Sequence, residues 1–277
     1  MIVVPIWYFV ILGFLFGASV GSFYNVLIYR MPRGLSLVKP ASFCPSCKKH
    51  IPIFFNLPLV GWLLLRGKSA CCKSPISVRY PLVELLCALL GALSVVLAEW
   101  GRPWGLEASE FKDMAALFWL LLGIVPVLLI DLEHHLIPDS ISVGGIFVGL
   151  LLSIFPGGIS VVDSLLGFLI AGGGLYVFGF LVTRFLKKEA MGFGDVKLLA
   201  GYGAIMGYFA AFEVLVMAAL LGLLVILPMR FIKRPNGADF DESSKEEIPF
   251  GPFLSISAPI VYLWGDAILE LYLSFIY

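Results

Sequence analysis

The sequence predicts an all-α polytopic membrane protein of about eight transmembrane helices, with a small cysteine-containing cytoplasmic loop domain. Three observations point there. The 277 residues are 60% hydrophobic and only 14% charged, whereas a soluble domain carries about 25% charged residues. The apolar stretches are continuous rather than alternating, which is the pattern of membrane helices and not of a barrel. Charge is also uneven. No Asp or Glu precedes Glu84, while Arg30, Arg33, Lys39, Lys48, Lys49, Arg66, Lys68, Lys73 and Arg79 crowd residues 30–80. A loop so rich in cations stays in the cytoplasm. Net charge is zero, so charge balance names no partner beyond the lipid bilayer, and no nucleic-acid partner is expected.

A crossing needs about 20 apolar residues. On that basis the spans fall at 6–27, 81–98, 114–130, 141–156, 164–183, 198–212, 214–229 and 252–274. The first lacks a basic n-region and a small-residue cleavage site, so it reads as a retained span. The fourth is short. Only Glu213 separates the sixth from the seventh, which leaves a single bent hairpin as the alternative. With the basic loop inside, loops 131–140, 184–197 and 230–251 also face the cytoplasm, and only Arg102 and Lys112 among the cations fall outside. The organisation expected is a first span (1–29), the basic cysteine loop (30–80) and a membrane core (81–277). Residues 233–249 are polar and expected to be mobile. No internal repeat is evident.

Two acids stand where apolar runs meet water. Asp131 ends the run 117–130 in Ile130-Asp131-Leu132-Glu133-His134-His135-Leu136-Ile137-Pro138-Asp139, and Asp195 closes Gly192-Phe193-Gly194-Asp195 just before Leu198. The charge topology puts both at the cytoplasmic edge. An acid at a membrane edge is unfavourable unless it is solvated, paired or used. Two carboxylates facing one water can divide acid and base roles, because close neighbours cannot both ionise cheaply. Gly192 and Gly194 allow positive φ and a close substrate backbone. Lys197 either interacts with Asp195 or snorkels to the surface. Helix capping is the plain alternative, for Asp131, for Asp139 before Ser140 and for Asp195 before Val196. A metal site from Asp131, Glu133, His134, His135 and Asp139 is a further alternative, although the spacing is not His-Glu-x-x-His.

Four of the five cysteines fall in the basic loop. Cys44-Pro45-Ser46-Cys47 has zinc-knuckle spacing. A second Cys-x-x-Cys would complete it, but the chain reads Gly67-Lys68-Ser69-Ala70-Cys71-Cys72. In a reducing cytoplasm metal binding is favoured over disulfides. Cys44, Cys47, Cys72 and Cys71 are the candidate zinc ligands, with His50 as another possible fourth, and free thiols are the alternative. A bound metal would staple a module too small to build a strong core. Cys87, inside a span, reads as an apolar packing residue.

Both acid segments resemble the two signatures of the bacterial prepilin peptidases, membrane aspartic proteases of the Gly-x-Gly-Asp class. So do Gly21-Ser22-Phe23-Tyr24-Asn25-Val26, Asn56-Leu57-Pro58, Gly61-Trp62-Leu63, Ile76-Ser77-Val78-Arg79-Tyr80-Pro81-Leu82-Val83-Glu84 and Ile248-Pro249-Phe250-Gly251-Pro252-Phe253. The resemblance implies that Asp131 and Asp195 hold the nucleophilic water, with Asp139, Gly192, Gly194 and Lys197 in support. It implies a prepilin or pseudopilin substrate of type IV pili or type II secretion, cut at the inner face of the bacterial cytoplasmic membrane. It also implies N-methylation of the new terminus from S-adenosylmethionine, linked to the cysteine loop, in which Ser69 takes the place of the third family cysteine. No Gly-x-Gly-x-x-Gly after a strand marks a cofactor fold. From other classes, a transporter using the acids as a proton relay and an assembly scaffold remain the alternatives.

Overall fold

The computed structural model describes residues 5–39, 42–44, 46–99, 108–156, 158–187, 191–232 and 249–276. The described residues form helices α1 (Ile6–Arg30), α2 (Val60–Leu64), α3 (Arg79–Ala98), α4 (Ala108–His134), α5 (Asp139–Ile154), α6 (Val161–Gly167), α7 (Gly173–Leu186), α8 (Phe193–Ile232) and α9 (Gly251–Ile276). The chain divides into two compact units, Met1–Leu129 and Ile130–Tyr277.

Among the described residues, six helical stretches are long and apolar enough to cross a membrane. The expected eight crossings map onto these with two adjustments. The fourth is the 16-residue α5, about 24 Å long at 1.5 Å per residue. The sixth and seventh are the two parts of α8, whose apolar stretch Phe193–Pro228 would run about 54 Å if straight, well beyond the bilayer core of about 30 Å. The interruption falls at Gly207 (φ 86°, ψ 169°), not at Glu213 as the charge pattern suggested. Glu213 lies inside the helix beside Gly265 of α9. Glycine takes that positive φ without a Cβ clash. Large apolar side chains such as Phe147 (69% exposed) and Phe185 (83% exposed) point out of the protein, as lipid-facing residues do. The polar segment 233–248 and Arg102 lie outside the described residues.

In the first unit, α1 lies against α3 with almost no side chain between them. Gly13, Gly17 and Gly21 recur every four residues along one face of α1. A Cβ on Gly17 would stand 2.3 Å from the Cys87 carbonyl oxygen, and one on Gly13 would stand 2.5 Å from that of Gly91. Small residues on one face let membrane helices approach closely, where packing must supply the attraction that water exclusion supplies elsewhere. Cys87 is fully buried in this seam. Gly17→Val should therefore force the helices apart and lower thermal stability in detergent by about 1–3 kcal/mol; an unchanged melting temperature would contradict this packing.

The second unit is organised around α8. Residues 200–204 are Ala-Gly-Tyr-Gly-Ala. A Cβ on Gly149 of α5 would stand 2.4 Å from the Ala204 carbonyl carbon, and one on Gly167 of α6 would stand 2.0 Å from the Gly203 carbonyl oxygen. Ser164 donates to the Ala204 carbonyl at 2.6 Å. A π-turn, Phe168–Gly172, joins α6 to α7 and keeps Ala171 and Gly172 buried facing α8, with Gly172 against Ala200. These contacts fix the height of α8, and with it the residues of its first turn.

Candidate active site

Four helix ends meet in the second unit. α4 finishes at His134, where His135 takes a left-handed conformation (φ 53°) and its N–H bonds the Asp131 carbonyl at 2.9 Å. Such a left-handed residue is the ordinary way to close a helix. Pro138 then sets the start of α5. α8 begins at Phe193 and α9 at Gly251, with Pro252 inside its first turn.

Asp131 and Asp195 are the acids placed at this junction. Asp131 sits in the last turn of α4 and is 5% exposed; Asp195 sits in the first turn of α8 and is 9% exposed. They lie close enough to interact electrostatically. The Gly251 N–H donates to the Asp131 carboxylate, so the positive end of the α9 dipole faces that acid. His135 also acts electrostatically on Asp131. Asp195 Oδ1 is buried with no hydrogen-bond partner. A buried polar atom without a partner is uncommon and calls for an explanation.

Neither acid is a helix cap. Asp131 lies near the C-terminal end of its helix, and α8 starts two residues before Asp195. The α5 cap is Pro138, not Asp139, and no side chain bonds there. The metal alternative for residues 131–139 also fails, since the cysteine cluster is the sole metal-competent group found among the described residues. Lys197 pairs with Asp139 rather than with Asp195, and its ammonium lies 5.3 Å from the Phe193 ring centre. This ion pair ties the start of α8 to the start of α5.

Gly192 and Gly194 do not have positive φ, contrary to expectation. Gly194 matters for close approach instead: its Cβ would stand 3.0 Å from Ile137 Cβ. Gly251 is the residue that sequence reasoning missed. Its Cβ would fall 2.6 Å from Asp131 Oδ2 and 2.9 Å from Ile137 Cδ1. Phe250-Gly251-Pro252 was the available signal, a glycine at a helix start with proline in the next position.

The cysteine loop contains two similar turns. In the first, Cys44 N–H bonds the Lys49 carbonyl (2.9 Å), Lys48 N–H bonds the Cys44 carbonyl (2.8 Å), and Lys48 has φ 60°. In the second, Ser69 N–H bonds the Ser74 carbonyl (2.8 Å), Lys73 N–H bonds the Ser69 carbonyl (3.0 Å), and Lys73 has φ 58°. Each is closed by an isolated bridge, Phe43 with His50 and Lys68 with Pro75. This short repeat was not evident from sequence. In this repeat Ser69 holds the place of Cys44 and Cys72 the place of Cys47.

Cys71 fills the gap that Ser69 leaves. The Sγ atoms of Cys44, Cys47, Cys71 and Cys72 all lie within 4.8 Å of one another. Cys47 and Cys71 are 2.9 Å apart, Cys44 and Cys72 3.6 Å. His50 is not in the cluster. Hydrogen bonds from the Ser69 hydroxyl and the Cys47 backbone pull the Cys44 thiol down to about 5, and Ser74 lowers Cys72. The hydrogen bond with the Cys71 thiol pushes the Cys47 thiol up to about 12.

A helical membrane protein with two buried carboxylates where four helix ends meet has the framework of an intramembrane aspartic peptidase. Comparison with known proteins agrees. Residues 15–98 match the Bacterial Peptidase A24 N-terminal domain, and residues 114–227 match the Type IV leader peptidase family. The chain is 35% identical to a prepilin leader peptidase/N-methyltransferase of Aeromonas hydrophila, over 97% of this chain and 95% of the relative. It is 36% identical to one of Pseudomonas aeruginosa over 96% and 94%, and 33% identical to one of Legionella pneumophila over 97% and 96%. No solved structure matches significantly. The chain belongs to the type IV leader peptidase family, and it is a multi-pass membrane protein.

Proposed function

We propose that this protein cleaves the leader of a type IV prepilin or type II secretion pseudopilin at the cytoplasmic face of the bacterial inner membrane, with Asp131 and Asp195 as the catalytic pair, and then N-methylates the new terminus. The observation that carries the peptidase reading is the pair itself: two acids far apart in sequence, brought together and buried, one with an unpartnered oxygen. In this mechanism one carboxylate takes a proton from water. The other, protonated, donates a hydrogen bond to the scissile carbonyl. Water adds to the carbonyl carbon, the C–N bond breaks, and the leaving amine takes up a proton. The Gly251 N–H orients the Asp131 carboxylate throughout. The Lys197–Asp139 ion pair holds the helix starts in place.

For the second activity, S-adenosylmethionine would supply the methyl group, and the neutral amine of the cut pilin would give up a proton on being methylated. Purified protein, prepilin and methyl-labelled donor test both halves, with mass spectrometry reading a shortened and then methylated pilin. An unprocessed prepilin would contradict the proposal.

The four thiols suit zinc. Tetrahedral Zn–S bonds of about 2.3 Å put the sulfurs about 3.8 Å apart, near the Cys44–Cys72 separation of 3.6 Å. Cys47 and Cys71 would spread to accept the ion. Zinc would be a structural staple for the two turns. The protein should carry about one zinc per chain. Cys71→Ser should lose it and Ser69→Ala should keep it, as read by elemental analysis. Affinity should fall as pH falls, because Cys47, with its raised thiol, must give up a proton to bind. Full zinc retention in Cys71→Ser would refute the ligand set.

A further inference from the structure

We infer that a cavity of about 720 Å3 in the first unit is the binding site for the methyl donor; this rests on the methyl-transfer reading above. The cavity is lined from Ser19 to Glu84, entirely within the stretch matched by the N-terminal domain. Sites for small ligands run from about 300 to 1,000 Å3, so it has room for a nucleoside with an amino-acid tail.

The walls carry the chemistry such a ligand needs. Phe55, Trp62 and Tyr80 offer aromatic faces for a purine, while the Phe43 ring already carries the Arg30 guanidinium (5.7 Å) and the Lys48 ammonium (5.4 Å). Trp62 is held by its Nε1–H bond to the Ile76 carbonyl (3.3 Å). Arg30 and Glu84 are the sole Arg, Lys, Asp or Glu side chains in the lining. Arg30 is 8% exposed and uses one N–H on the Ser36 carbonyl (3.0 Å), out of the five a guanidinium has. That suits a buried carboxylate. Glu84 accepts the Leu59 N–H at 2.7 Å and bonds Ser22, so it can face a cationic centre. One wall charge of each sign matches a ligand bearing both a carboxylate and a sulfonium. An acyl chain would need neither.

The site is built in advance of binding. Leu59 has φ 61° and ψ −51°, a conformation unfavourable for a branched side chain and kept where surroundings over-determine it. Here the Glu84 bond does so. Asn25 Nδ2 donates to the Tyr80 carbonyl at 3.0 Å, pinning α1 to the start of α3. Cys44, Ser69 and Ser74 also line the cavity. The cysteine turns therefore shape its wall, which gives a physical link between the metal cluster and methyl transfer.

The test is calorimetric titration of the full chain in detergent with S-adenosylhomocysteine, without pilin. Arg30→Met, Glu84→Gln, Trp62→Leu and the cavity-filling Val26→Phe should each weaken binding at least about tenfold, about 1.4 kcal/mol, while prepilin cleavage stays at the wild-type rate. Photo-crosslinking of labelled donor to the wild type should mark peptides within 19–84, whatever the variants do. Unchanged affinity in all four variants, or label confined to other segments, overturns the cavity assignment and leaves methyl transfer standing. A wild type that neither binds donor nor methylates overturns the methyl-transfer reading, and this inference with it.

Discussion

Asp195→Asn is expected to slow prepilin cleavage by about 10²–10⁴-fold, the usual contribution of a positioned acid or base, and Asp131→Asn by a similar factor. Asparagine keeps the size of each side chain, and its amide can donate a hydrogen bond, but it can neither take the water proton nor give one up as the reaction proceeds. Both positions are almost fully buried, so bulk water cannot easily stand in. The glycine seam and the cysteine turns involve neither carboxylate, so membrane insertion and donor binding should remain. Wild-type processing by either variant, measured as initial rate on purified prepilin, would remove the catalytic assignment.

Gly251→Ala is expected to cost about 10²-fold in cleavage without removing a reacting group, a loss typical of about 1 Å of misplacement. An added methyl would stand 2.6 Å from Asp131 Oδ2 and 2.9 Å from Ile137 Cδ1. Neither separation is tolerable, so the start of α9, the acid or Ile137 must move. The Gly251 N–H bond that orients Asp131 moves with it. Gly222→Ala is the control, since its methyl would meet Phe253 at an ordinary 3.6 Å and should leave the rate near wild type. Equal rates for Gly251→Ala and Gly222→Ala would show that this contact does not position the acid.

The membrane class and the acids were legible because each rests on a local signal. Continuous apolar runs announce helices, and an acid at the end of such a run is conspicuous. What stayed hidden depends on tertiary packing. The interruption in α8 was assigned to Glu213 because charge marks loops, whereas the backbone turns at Gly207, which carries no polar signal. The capping alternative for Asp195 rested on asparagines and aspartates often beginning helices, but the helix starts earlier, at Phe193. Lys197 looked like a partner for its neighbour in sequence, yet it reaches Asp139 across the unit. The second cysteine turn escaped notice because Ser69 breaks the Cys-x-x-Cys spacing while the backbone hydrogen bonds preserve its shape. The transporter alternative drew on acids being common in the spans of transporters, but a transporter's site is expected near the midplane, and both acids here are in terminal turns of their helices.

The central claim is that Asp131 and Asp195 act as one unit on one water. Groups that act as a unit lose most of their effect when either is removed. The direct measurement is the cleavage rate of the double variant Asp131→Asn/Asp195→Asn beside each single variant, on the same prepilin. The account predicts that the double variant is no slower than the slower single. A double variant slowed by the product of the two single effects, or either single variant cleaving at the wild-type rate, would contradict it.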